Sequence, residues 1–364
     1  MASEVSDHEA GCRPDATPGR RVARREVVGF AVFVAVLLAM LTWAKWWPYS
    51  LKVPLVADTR TLGDSIITGS DTAPPGVSLA AGLEFAQTYL LAIWPAMVAG
   101  LAIAAGVSVL VPRDWLRRAA GRPGAKATLR GGVMSVPPLM CTCCTAPVAV
   151  GLRQRGASVG ASMAFFLGNP ALNPVVVVLA FFVLGWQWAL LRAAVGVALI
   201  ALVTLLVGTR SVPTRQRALA PPAEAAGEET GPLPLQLLRS FARLALRLLP
   251  EYVLLVVALG ALRGLLFGEA ISLHGGLLAV VLFAVAGAVL PIPTAGEIPV
   301  VAALLVLGVS APAAAALLIT LPAISLPSAL MVRRAFPART LWTAGGSVVA
   351  VGFFSAGVAA AVGL

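Results

Sequence analysis

Residues 147–171, PVAVGLRQRGASVGASMAFFLGNPA, recur in outline 152 positions later as residues 299–323, PVVAALLVLGVSAPAAAALLITLPA. Without a gap, Pro147 falls on Pro299, Val148 on Val300, Gly156 on Gly308, Ser158 on Ser310, Ala161 on Ala313, Ala164 on Ala316, Pro170 on Pro322 and Ala171 on Ala323. A shared apolar bias does not by itself bring prolines and glycines into register. The chain therefore reads as two homologous halves.

Of the 364 residues, 59% are hydrophobic and 12% charged, and the mean hydropathy is +0.90. A water-soluble domain carries about 25% charged residues, so the lipid bilayer is the partner this composition implies. The net charge of +11 does not point to nucleic acid, because the basic residues lie in short clusters between apolar runs, where they set membrane orientation.

Apolar runs predict spanning helices at about 27–47, 84–111, 160–184, 189–208, 248–267, 311–332 and 341–363, each near the roughly 20 residues a bilayer requires. Residues 132–152 and 277–307 are broken by central prolines. Both read as re-entrant hairpins, a form viable only where protein or a watery cavity satisfies the bent backbone. The fold class expected is all-α: a polytopic helical bundle of two inverted repeats, each with a re-entrant hairpin and a broken helix.

Arg20, Arg21, Arg24 and Arg25 precede the first span, and Trp43, Trp46 and Trp47 close it, as in a retained anchor with a cytoplasmic N-terminus. With that orientation, all of the 27 Lys and Arg except Lys45, Lys52, Arg60, Arg192 and Arg263 lie inside, those five being at or beyond the outer face. The two halves then run oppositely, a design of secondary transporters. The division expected is a tail at 1–26, the first helix at 27–47, an outer loop at 48–78, a first repeat at 79–208, a Pro- and Glu-containing cytoplasmic linker at 209–235 and a second repeat at 236–364. Cys12 belongs to the tail. No phosphate-binding loop occurs, no cofactor is implied, and a homo-oligomer is left open.

Three constellations can carry chemistry. Cys141-Thr142-Cys143-Cys144 lies between Pro137-Pro138 and Pro147. Thiolates are ligands for soft metals and trivalent metalloids, and a helix starting near Thr145 would direct its positive end at the sulfurs and favour that form. Gly168-Asn169-Pro170-Ala171-Leu172-Asn173-Pro174 interrupts an apolar helix. Its prolines free carbonyls, and Asn169 and Asn173 can hydrogen-bond either a substrate or the kinked backbone. Leu321-Pro322-Ala323-Ile324-Ser325-Leu326-Pro327 is the counterpart, with Ser325 opposite Asn173. Pro291-Ile292-Pro293-Thr294-Ala295-Gly296-Glu297-Ile298-Pro299 is the tip of the second hairpin, and Glu297 aligns with Thr145. There an acid can carry protons or cap the following half-helix. Glu84 and Glu251 are weaker acids of the same kind.

The stretch 139–153 with its Cys-Thr-Cys-Cys core, followed by the double Asn-Pro motif at 169–174, resembles the bacterial predicted-permease family that includes the organoarsenical efflux permeases. Trp46-Trp47-Pro48-Tyr49 and Gly63-Asp64-Ser65-Ile66 are similar to that family as well, so the resemblance covers nearly the whole chain. It implies an inner-membrane permease, with Cys141, Cys143 and Cys144 matching the family's cysteine-bearing loop.

The expectation is a transporter rather than an enzyme, moving a thiophilic metalloid or soft metal species, a small inorganic or organometalloid substrate. The cysteines, Asn169, Asn173 and Ser325 would contact it, the thiols ligating metal only as substrate, and Glu297 would couple protons. The alternative is a membrane thiol oxidoreductase using the C-x-x-C pair Cys141 and Cys144.

Overall fold

The computed structural model describes residues 18–67, 75–208, 232–273 and 275–364. Cys12 and most of the expected linker lie outside the described residues. Among those described, the protein is all-α, with seven helical stretches long and apolar enough to cross a membrane.

The first stretch, Val27–Thr59, is built from α1 (Pro18–Leu41), a π-helical segment Thr42–Trp46 and α2 (Trp47–Thr59). Helix thus continues into the region expected as outer loop. Pro48 stands in the first turn of α2, where its missing N–H costs little, and Arg60 ends the helix in a left-handed conformation at φ 56°. α3 (Leu79–Leu110) starts at Ser78, whose side chain accepts from the Ala81 N–H.

Two short helices follow, α4 (Arg113–Leu116) and α5 (Ala125–Met134), and then α6 (Thr142–Gln154), which at 13 residues is too short to cross a bilayer alone. α7 (Val159–Ala171) and α8 (Pro174–Val183) make one interrupted span, and α9 (Trp186–Val203) follows.

After the undescribed segment, α10 (Leu233–Ser272) extends well beyond the apolar run that predicted it. α11 (Gly276–Val289) and α12 (Glu297–Val306) are again short, separated by residues 290–296. α13 (Ala311–Ala323) and α14 (Leu326–Val332) make the second interrupted span, and α15 (Ala338–Val362) ends the chain. The helical order around residues 142–183 thus returns around 297–332, as the sequence recurrence leads one to expect.

α3 packs along α10, α11 and α15 along α13, and α6 against α3 and α7. The core is densest around α13, every residue of which from Ala313 to Ala323 is buried. Small side chains there, Ala313 to Ala316, allow close approach of the neighbouring helices, the usual means of association where lipid removes a hydrophobic drive.

Three of the five basic residues expected at the outer face, Lys45, Arg192 and Arg263, are buried inside the protein. Arg263 donates to the Ile67 and Ala81 carbonyls and ties the segment after α2 to the start of α3. A charge in an apolar helix needs a partner, and protein carbonyls supply it here in place of water.

Candidate functional site

Two loops that precede short helices form the centre of the site. In the first, Pro137 and Pro138 end the α5 side, Leu139 takes a left-handed φ of 54°, and Cys141 is the N-cap of α6 with extended backbone. An N-cap side chain folds back over the second and third helical positions. Those positions are Cys143 and Cys144, so the three thiols converge.

Cys141 Sγ lies 2.7 Å from Cys143 Sγ and 3.2 Å from Cys144 Sγ, and Cys143 and Cys144 are 3.5 Å apart. All three are free and buried. The adjacent pair Cys143 and Cys144, whose side chains a helix would be expected to splay, is brought together because Cys141 closes over both. A tetrahedral site with metal–sulfur bonds near 2.3 Å would set its sulfurs about 3.8 Å apart. The trio therefore admits an ion by opening about 1 Å at its tightest edge.

α3 lies directly against this turn. A Cβ on Gly100 would strike the Cys144 carbonyl oxygen, so glycine permits the approach. Asn169, on α7, accepts from the Met140 N–H at 3.4 Å and donates to the Phe165 carbonyl at 3.1 Å, joining the cysteine loop to the first interrupted span. Thr145, buried behind the sulfurs, donates to the Cys141 carbonyl at 3.0 Å.

In the second loop, Ala295 is left-handed at φ 69° and Gly296 is the N-cap of α12. Left-handed non-glycine backbone costs on the order of 1 kcal/mol or more and persists where its surroundings enforce it. Both loops carry one such residue, and Leu139 and Ala295 pack in the same apolar cluster with Tyr49 and Ile298. The two loop tips thus meet.

Glu297, the first residue of α12, is 1% exposed and lies 2.6 Å from Arg192 Nη2. Its two oxygens find no hydrogen-bond donor among the described residues, so the contact is an ion pair without good hydrogen-bond alignment. Arg192 also donates to the carbonyls of Leu318 and Pro170, each at 2.9 Å. These are the carbonyls four residues before Pro322 and Pro174, which proline leaves without a helical partner. One guanidinium therefore joins both interrupted spans to the second loop.

Lys45 enters from the π-helical segment of the first helix. It is 6% exposed, its Nζ donates to Thr294 Oγ1 at 2.9 Å, and it stands 5.6 Å from the Tyr49 ring centroid. It is within electrostatic range of all three cysteines. The next residue, Trp46, donates from its indole to the Pro137 carbonyl at 3.0 Å. Consecutive residues of one short segment thus reach the two loops. The Tyr89 and Tyr252 hydroxyls hydrogen-bond to each other at 2.6 Å, and both side chains lie close to Cys143.

Asn173 and Ser325 occupy equivalent places, each the N-cap that restarts an interrupted span. Asn173 Oδ1 accepts from the Val175 and Val176 N–H groups. Ser325 forms a reciprocal capping box with Ser328. Among the described residues the Asn173 amide nitrogen is buried without a hydrogen-bond partner, so this side chain retains a donor beyond its capping bonds. Of the weaker acids, Glu251 pairs with Arg333 at 2.9 Å and Glu84 is exposed.

The sequence places Lys45 and Arg192 at the outer face rather than in the site, and nothing local marks Tyr89 or Tyr252. The available signal was a basic residue inside an apolar run, at Lys45 and Arg192, which in a membrane segment indicates function by default.

The predicted-permease family profile matches residues 78–361. The UPF0718 protein YraQ of Escherichia coli (strain K12) is 41% identical over 332 residues, covering 90% of this chain and 94% of that protein. No solved structure matches the chain.

Proposed function

The chain belongs to the predicted-permease family, and from that premise we propose that it is a secondary transporter moving a thiophilic metalloid or soft metal species past the cysteine loop. The observation that carries the reading is the convergence of three free, buried thiols at the junction of both loops and the first interrupted span. Sulfur ligands select soft metals and metalloids over hard cations, and interrupted helices are where transporters place substrates.

In this reading residues 79–208 and 236–364 are inverted repeats, α5–α6 and α11–α12 are the re-entrant hairpins, and the N-terminus is cytoplasmic in the inner membrane. Asn169, the free amide of Asn173 and Ser325 border the path. Glu297 couples protons: its protonation dissolves the charge pairing with Arg192 and frees the second loop to move relative to the two interrupted spans. Dithiol exchange at Cys141 and Cys144 draws on the same closeness, yet the described residues offer no second dithiol to pass electrons on.

The test is uptake of arsenous acid into proteoliposomes. Cys141→Ser or Cys144→Ser should slow uptake at least tenfold while Cys12→Ser leaves it unchanged. Full activity in a variant with all three loop cysteines replaced would sink the reading.

A further inference from the structure

The charges around the thiols do not cancel. Arg192 and Glu297 neutralise each other, which leaves the Lys45 ammonium as the excess charge. An ammonium has three donors, and among the described residues Lys45 makes one hydrogen bond, to Thr294, with no carboxylate within ion-pair distance. The Tyr49 ring face covers part of the remainder. A buried charge so lightly paired is costly, and it is offset either by a thiolate of the neighbouring cysteine loop or by a bound anion.

The tyrosine pair adds a further donor. In the Tyr89–Tyr252 pair one hydroxyl donates to the other, so one phenolic proton remains beside Cys143. The sulfurs thus have both an ammonium and a hydroxyl donor near them. Hydrogen-bond donors around a soft-ligand centre fit a particle with a soft atom for the thiols and negatively charged oxygens for the donors.

From this juxtaposition we propose that the permease takes its substrate as an anion, a small oxyanion of a thiophilic element, with Lys45 as the residue that binds the anionic oxygens. The proposal rests on the transport reading above and narrows it. It also gives the first helix a role in selectivity, since Lys45 lies outside the segment 78–361 that the family profile matches.

Three thiophilic probes of different charge decide it: selenite, an anion at neutral pH; arsenous acid, uncharged; and Zn2+. Uptake is measured in proteoliposomes holding the wild-type chain, Lys45→Met, Lys45→Arg and the variant lacking all three loop cysteines. Selenite should be transported by the wild type, at least tenfold more slowly by Lys45→Met, and near the wild-type rate by Lys45→Arg. Selenite uptake indifferent to Lys45 would overturn the proposal. So would uptake of arsenous acid or Zn2+ without selenite, which makes Lys45 a thiolate counter-ion and leaves the transport reading standing. If no probe is carried faster by the wild type than by the cysteine-free variant, both readings fall. Because the comparison of probes uses the wild-type protein, it holds even where Lys45→Met folds poorly.

Discussion

Arg192 lies 2.6 Å from Glu297, and the two residues belong to different halves of the chain. The same guanidinium takes up the carbonyls that Pro170 and Leu318 present at the interrupted spans. The pair is thus a joint, held by charge, between the second loop and both interrupted spans; under the transport proposal these are the elements that move relative to one another.

Removing one partner of such a pair leaves the other buried and uncompensated, at a cost of about 3–5 kcal/mol. Arg192→Met should therefore lower the thermal stability of the detergent-solubilised protein sharply. The double variant Arg192→Met with Glu297→Gln should recover part of the loss, because the stranded carboxylate is gone. Additive losses in thermal unfolding would show that the two residues are energetically independent.

Glu297→Gln keeps the shape of the side chain and removes its proton chemistry. Under the coupling proposal, transport driven by a pH gradient should fall at least tenfold while equilibrium binding of substrate persists. If the variant responds to an imposed pH gradient as the wild type does, Glu297 serves only to anchor Arg192.

Gly100→Ala places a methyl group against the Cys144 carbonyl, and backbone cannot give way cheaply. Uptake of a thiophilic probe should drop severalfold, whereas Gly357→Ala, at a position with nothing near its added Cβ, should behave as wild type. Equal behaviour of the two variants in the same vesicle assay would mean that the cysteine turn has slack.

Asn173 accepts two backbone N–H groups at the start of α8, and losing such a cap costs about 1 kcal/mol. Asn173→Ala should lose that stability, and Asn173→Asp should keep it. Because Asp lacks the free amide donor, a transport defect in Asn173→Asp with normal stability would separate a substrate contact from the cap.

The sequence made the helices, their interruptions and the cysteine loop legible because each follows from local chemistry: apolar length, proline geometry and the clustering of sulfur. The convergence of all three thiols was only partly so, since it depends on Cys141 being the N-cap. Lys45 and Arg192 read as outer-face charges because the orientation with the N-terminus inside places their ends of the spans there. What fixes their direction is a partner far off in the chain, Thr294 for Lys45 and Glu297 for Arg192. No local pattern encodes that.

The π-helical segment Thr42–Trp46 amounts to an extra residue accommodated within a helix. One residue more or fewer turns everything beyond it by about 100° around the axis, given 3.6 residues per turn. A single-codon deletion there would leave the helix able to form but would swing Lys45 and Trp46 away from one or both loops. Under the proposal that Lys45 binds substrate, such a change of phase in the first helix would alter what the permease accepts while leaving the rest of the bundle in place.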